Sequence, residues 1–174
     1  NQPNGSFGGI LLQEYDPKAQ RLTGPITNIF KGTARGLVEA PHIFKRAGWY
    51  YLITAEGGTG YDHAVTHARS RDLTGPYDVH PDTHPLTQTD PNAPLQRIGH
   101  GQFVDGEGAD VWHTFLCGRP LPGQGRCPLG RETAIARCRW DDDGWLRVVD
   151  WPDVAAEGYA DDTQEYDLKD GLPG

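Results

Sequence analysis

Apolar residues along this chain fall in short runs that are bounded by residues favouring turns. The clearest example covers residues 42–45 and 49–55, with the turn Arg46-Ala47-Gly48 between them. The second run is rich in aromatic and β-branched residues, which favour strands, and Gly48 can adopt the positive φ of a tight turn. No segment shows a convincing helical period of 3.6 residues. The pattern predicts a β-hairpin here and an all-β chain.

Similar strand pairs recur along the chain. The tetrad Leu-Thr-Gly-Pro occurs at 22–25 and again at 73–76, 51 residues apart, each time after a strand and an acidic turn. A weaker third copy surrounds the turn 141–144, and the hairpin 101–116 before it matches the hairpin 42–54. Four antiparallel strands that recur at a period of roughly 40–50 residues predict the blades of a β-propeller. The other predicted strands cover residues 9–15, 21–26, 28–30, 63–70, 133–140 and 145–149.

Two carboxylates flank the first hairpin. Glu39 precedes it and Glu56 follows it, so both lie at the same end of the strand pair. Pro41 favours an extended Ala40, which predicts a rigid segment carrying Glu39. A carboxyl group held at a strand entrance is a candidate general acid or base. Because most carboxylates are solvated surface groups, the spacing alone favours that simpler interpretation.

Composition narrows the classes of function. The 174 residues suffice for one domain with a sizeable core, and the formal net charge of −8 argues against a nucleic-acid partner. No apolar run reaches membrane-spanning length and no signal peptide is recognisable, so we expect no membrane partner. Localisation stays open between the cytoplasm and secretion. The absence of Met and the initial Asn1 indicate a processed chain, an incomplete gene or a fragment.

Three further features concern chain organisation. Cys117, Cys127 and Cys138 lack a CxxC spacing, which predicts free thiols or at most one disulfide. Residues 80–95 form a long Pro-rich loop, and such loops are usually functional or linkers. Residues 151–174 are acidic with few apolar residues, which predicts an exit segment or linker.

Several motifs carry a resemblance to a known family. They are VEAPH at 38–42, AEGGTGY at 55–61, HAVT at 63–66 with ARS at 68–70, and CPLGRETAI at 127–135. In this order they resemble glycoside hydrolase family 43, and within it the β-xylosidase and α-L-arabinofuranosidase branch, over about residues 7–149. The resemblance implies a five-bladed β-propeller that needs no cofactor. It also implies inverting hydrolysis that releases terminal xylose or arabinofuranose from oligosaccharides of xylan or arabinoxylan.

The resemblance assigns roles to four residues. It implies that Glu39 is the general acid, and that Arg131 contacts the sugar of the innermost subsite through its planar donors. It implies that Thr59 and His100 line the same pocket, with His100 near the propeller axis and close to a calcium ion, which it would contact through water. Without the resemblance, His100 is as well explained as a structural histidine, and Arg131 as the partner of a surface carboxylate.

One requirement of the inverting reaction is missing from this sequence. The reaction needs a second carboxylate as general base, far enough from the acid to admit a water molecule. The resemblance implies an aspartate base from the first blade, a modulating acid from the second and a β-sandwich after the propeller, and this chain contains none of the three. Glu14 is a poor substitute because it lies in the body of a strand with no family motif around it. We therefore expect residues 1–150 to be the C-terminal part, about three blades, of a five-bladed catalytic domain.

Two classes of function remain open. The first is a glycosidase that works only with the missing propeller part or a partner chain. The second is a non-catalytic carbohydrate-binding or structural propeller fragment. In either case the open faces of the outer sheets would be apolar, so we expect the isolated chain to self-associate.

Overall fold

The computed structural model describes residues 8–150 except 109 and 122, and every regular element among them is a strand. No helix is found in this part of the chain, and none there could cross a membrane. The predicted all-β class is therefore confirmed, whereas the acidic segment 151–174 lies outside the described residues. The strands are β1 (Ile10–Asp16), β2 (Arg21–Phe30), β3 (Glu39–Arg46), β4 (Trp49–Glu56), β5 (Ala64–Ser70), β6 (Asp78–Val79), β7 (Leu86–Thr87), β8 (Gln96–Asp105), β9 (Val111–Gly118), β10 (Glu132–Trp140) and β11 (Leu146–Asp150).

The strands form three antiparallel sheets. In the two larger sheets, strands that follow one another in the chain lie side by side. One sheet runs β3-β4-β5-β6, with β7 also paired to β5, and the next runs β8-β9-β10-β11. The third sheet is the pair β1-β2. The first Leu-Thr-Gly-Pro tetrad lies within β2 and the second in the loop after β5, and their glycines, Gly24 and Gly75, have positive φ values of 68° and 90°. The predicted four-stranded repeat is confirmed by the two larger sheets.

The hairpin β3-β4 closes through a two-residue turn. Arg46 pairs with Trp49, and Ala47 and Gly48 between them have φ values of 47° and 76°. Two positive φ values are what a type I′ turn requires, and that turn matches the right-handed twist of its strands. The prediction for Gly48 is confirmed.

The conformation of Ala40 differs from the prediction. Strand β3 already begins at Glu39, and its pairing with β4 shifts register between Glu39 and His42. Ala40 lies in this β-bulge with a φ of 51°, so it is not extended. The local preference of a residue before proline is overridden here because the bulge must accommodate an extra residue in the strand.

The main core lies between the two larger sheets. It joins Ile53 and Val65 of the first sheet to Phe115 of the second. Leu86 and Leu95 are buried in the same cluster, so residues 80–95 are a packed connection, and the linker interpretation of this loop is wrong. A second cluster packs β1-β2 on the first large sheet. All three cysteines are free thiols, which is the first of the two predicted alternatives.

We expect Leu52→Ala on β4 to lower the free energy of unfolding by about 2–5 kcal/mol, because its fully buried side chain would leave a cavity. Leu129→Ala is the control, since that side chain is 69% exposed. Urea unfolding of both variants measures the effect. A loss below about 1 kcal/mol for Leu52→Ala would contradict this core assignment.

Candidate active site

Three strand starts and the bulged part of β8 lie toward one end of the two larger sheets. Glu39 opens β3 and pairs with Ala55, while His63 directly precedes β5. In the second large sheet Arg131 directly precedes β10, and His100 lies in a bulged part of β8. Because neighbouring strands are antiparallel, the starts of the first and third strands of each sheet share one edge. The fold thus carries three of the predicted site residues to the same end.

His63 connects these residues. Its side chain is buried, and its Nδ1 atom lies 3.2 Å from the carbonyl oxygen of Arg97. Burial lowers the pKa of His63, the bond to Arg97 opposes this, the charges of Arg131 and His100 lower the pKa further, and that of Glu39 raises it. Electrostatic interactions weaken with distance, so Glu39, His100 and Arg131 all lie within electrostatic range of one imidazole.

The two carboxylates at the end of the hairpin have different environments. Glu56 is fully buried and accepts hydrogen bonds from the Thr33 amide, at 2.8 Å, and from the Thr33 hydroxyl. Glu39 is half-buried, and its carboxyl group makes no hydrogen bond or ion pair with any other described residue. Glu56 therefore fixes the preceding loop, and Glu39 is the carboxyl group available to a ligand.

Arg131 is exposed, and its neighbour Glu132 is bound to a different arginine. Arg119 donates from Nε to both Glu132 carboxylate oxygens, at 3.1 and 3.0 Å. Across residues 8–150, with the two gaps noted above, Arg131 has no ion-pair partner, so the pairing expected as its structural alternative is not found there. Its guanidinium donors face no competing carboxylate of the described part of the chain.

Among the described residues, no hydrogen bond links Thr59 to Glu39, His100 or Arg131. It is exposed in the loop between β4 and β5. That loop is attached to the second large sheet through Tyr61, whose hydroxyl donates to the carbonyl oxygen of Gly125 at 3.0 Å. The structure shows Thr59 exposed in this loop, and its predicted role stays a prediction.

A family profile described as "Glycosyl hydrolases family 43" matches residues 1–146. The chain belongs to glycosyl hydrolase family 43. The predicted resemblance is confirmed. The solved structures it resembles are five-bladed β-propeller enzymes of this family, so the predicted propeller fold is confirmed too, with this chain covering part of it.

Several family 43 relatives share much of this sequence. The xylosidase/arabinosidase 43B of Humicola insolens is 53% identical, with 94% of this chain and 31% of the relative aligned. The beta-xylosidase of Bacillus subtilis (strain 168) is 49% identical, with 83% and 28% aligned. The crystal structure of xylan beta-1,4-xylosidase from Bacillus halodurans C-125 superposes with a TM-score of 0.79 at 48% identity, covering 85% of this chain and 28% of that one. The chain thus spans less than a third of these relatives' length.

The calcium ion that the family resemblance implies is not supported by the residues described. Among them, no three His, Cys, Asp or Glu side chains lie close enough together to hold a metal ion. Calcium also prefers oxygen ligands, which the imidazole of His100 does not offer. These residues do not form a calcium site, and a contact from His100 through water stays a prediction.

The sequence assigned no role to three residues of this family 43 site, which are His63, Tyr61 and Arg97. His63 and Tyr61 lie in the quoted motifs, and the guanidinium of Arg97 lies 4.8 Å from the centre of the Tyr61 ring. Such cation–π contacts fix both side chains. Their place in or near the family motifs gave the only signal, because burial cannot be read from one sequence.

Proposed function

We propose that this chain is the part of a family 43 glycosidase that carries the general acid. In this proposal Glu39 protonates the leaving oxygen of a terminal xylose or arabinofuranose residue, and Arg131 donates hydrogen bonds to the sugar. The supporting observation is the convergence of Glu39, His100 and Arg131 around His63, with no protein partner for the Glu39 carboxyl among the described residues. The names of the relatives, xylosidase and arabinosidase, indicate the sugars.

The general base would come from another segment. Glu56 is held by Thr33, and Glu14 is exposed on β1 in the small sheet. Neither is a free carboxylate of the two sheets that carry Glu39 and Arg131. An inverting mechanism would therefore need a carboxylate that faces Glu39 from an upstream blade, at the separation of about 6.5–9.5 Å that admits a water molecule.

The small sheet β1-β2 also indicates a missing neighbour. Leu11, Leu22 and Ile26 are 62%, 62% and 64% exposed on it. Exposed apolar clusters of this kind mark interaction surfaces. We infer that another part of the propeller covers this sheet in the assembled enzyme, and that the isolated chain self-associates through it.

We expect the isolated chain to have negligible xylosidase activity and to elute from gel filtration as oligomers. A chimera in which this chain replaces the matching 154-residue stretch of the Bacillus subtilis beta-xylosidase supplies the remaining propeller. It should hydrolyse a nitrophenyl xyloside at ordinary enzyme rates, about 1 per second or more. An inactive but folded chimera, or a monomeric isolated chain that turns over substrate, would contradict the proposal.

A second candidate is a carbohydrate-binding module without turnover. It is favoured by the engagement of Glu56 with Thr33, which occupies the other carboxylate at the Glu39 end of the hairpin β3-β4. Xylose binding by a folded chimera that fails to hydrolyse xylosides would support this candidate over the glycosidase.

A further inference from the structure

Strand β8 contains an unusual segment at the candidate site. Its pairing with β9 shifts register twice, between Gln96 and Gly99 and again between Gly99 and Gln102. Arg97 and His100 both have positive φ, at 56° and 47°, although neither is glycine. Such conformations are costly and persist only where the surroundings hold them. Bulges of this type commonly redirect a side chain next to an active site.

His63 contacts this double bulge directly. Its Nδ1 lies 3.2 Å from the Arg97 carbonyl oxygen, and a carbonyl can only accept, so Nδ1 carries the proton. A Cβ atom built on Gly99 would lie 2.4 Å from the His63 ring, so the imidazole packs directly against the backbone of the bulge. His63 thus contacts the bulge twice, through the hydrogen bond to Arg97 and through its ring against Gly99.

The backbone of His63 is itself fixed. Its amide donates to the Gly60 carbonyl at 3.2 Å, and its carbonyl accepts from the Thr87 hydroxyl at 3.0 Å. The following residue, Ala64, pairs with Glu56 in the sheet that carries Glu39. His63 is therefore a rigid connection between the sheet of the proposed acid and the bulge that carries His100. Its buried Nε2 has no protein partner, which calls for an explanation at a ligand site.

We propose that His63 is a positioning residue whose Nδ1–H holds the 97–100 bulge in the shape that presents His100 to the site of Glu39 and Arg131. This inference rests on the proposed function of that site. In the neutral ring the proton on Nδ1 leaves Nε2 as a hydrogen-bond acceptor, which is suited to a sugar hydroxyl or a water molecule. Direct contact between His63 and the sugar is not required for the positioning role.

Two substitutions distinguish the roles of the two ring nitrogens of His63. Asn can place its amide N–H at the position of Nδ1 and has no atom at the position of Nε2. Gln can place its amide at the position of Nε2 and has no donor at the position of Nδ1. In the active chimera we expect His63→Gln to lower kcat/KM about 100-fold, the loss typical of a misplaced group. His63→Asn should retain activity within about fivefold, because a donor to the Arg97 carbonyl remains. His84→Gln is the matched control, since His84 bonds a threonine hydroxyl through Nδ1 and contacts no bulge.

The unmodified chimera is measured first, so a failure of the proposed function shows there and not in the variants. Equal activity of His63→Asn and His63→Gln, or near-normal activity of His63→Gln, would overturn the positioning role.

A second measurement needs no activity. Imidazole ¹⁵N spectra of the unmodified chain should show His63 with the proton on Nδ1, and amide shifts of residues 97–100 should change more in His63→Gln than in His63→Asn. The Nε2-protonated form would contradict the proposal.

Discussion

Glu39→Gln in the active chimera should reduce turnover of unactivated xylosides by about 10²–10⁴-fold, the usual contribution of a general acid. The amide keeps the shape of the side chain, but it is too weak an acid to transfer a proton to the leaving oxygen. Aryl xylosides with good leaving groups should lose much less, because their leaving oxygen needs little protonation. Comparing kcat on the two substrate types for one variant isolates the protonation step.

Glu14→Gln is the matched control for this experiment. Glu14 is an exposed carboxylate on β1, in a different sheet from Glu39, and its substitution should leave both activities unchanged. Equal losses on both substrate types in Glu39→Gln would argue against the acid role. They would indicate that Glu39 binds the sugar, with the proton coming from elsewhere.

The strands and their repeat could be predicted because each rests on local chemistry. The turn at Ala47-Gly48 needs residues that tolerate positive φ, and the runs beside it have strand composition. Both Leu-Thr-Gly-Pro tetrads carry a glycine with positive φ, Gly24 within β2 and Gly75 in the loop after β5. These signals act over a few residues, so one sequence contains them in full.

The bulges and the buried polar groups could not be predicted in this way. Ala40 has a positive φ although Pro41 follows it, because pairing with β4 imposes the bulge. The sequence marks Glu56 as a solvated carboxylate and His63 only as a strand residue, yet both are buried and bonded to residues 23–34 positions away. Glu39 and Arg131 were found through family motifs, and their convergence required the fold.

The same limitation applies to a second group of histidines, which joins the two larger sheets. His67 of β5 and His113 of β9 are buried, and their Nε2 atoms lie 3.1 Å apart. His113 Nδ1 donates to the Thr114 carbonyl, at 2.8 Å, so its Nε2 accepts and His67 donates. His80 packs edge-on against His67, with the ring centres 6.1 Å apart. This arrangement needs His113 to be neutral, because its Nε2 must be free of a proton to accept.

Burial is the main cause that keeps these rings neutral. It lowers the pKa of His113 from 6.5 to about 4, and it lowers the pKa of His67 well below its ordinary value, with His113 and His80 adding to the effect. Above pH 6.5 the rings are neutral in both folded and unfolded chains, so they add no pH dependence. Below pH 6.5 the unfolded chain binds protons that the folded chain excludes, and stability falls. For His113 alone the loss reaches about 3 kcal/mol near pH 4.

We therefore expect the free energy of unfolding to drop by several kcal/mol between pH 7 and pH 4.5, with a slope of up to about 1.4 kcal/mol per pH unit for each such histidine. Urea unfolding at pH 7, 6, 5 and 4.5 measures it, and the range above pH 5 precedes most carboxylate titration.

The double variant His67→Gln with His113→Gln should be less stable at pH 7 but should lose much of this slope. His42→Gln, outside the cluster, should retain it. If the double variant kept the full slope, protonation would have to act elsewhere, with His63, His80 and His84 as the next groups to test, because burial lowers the pKa of each.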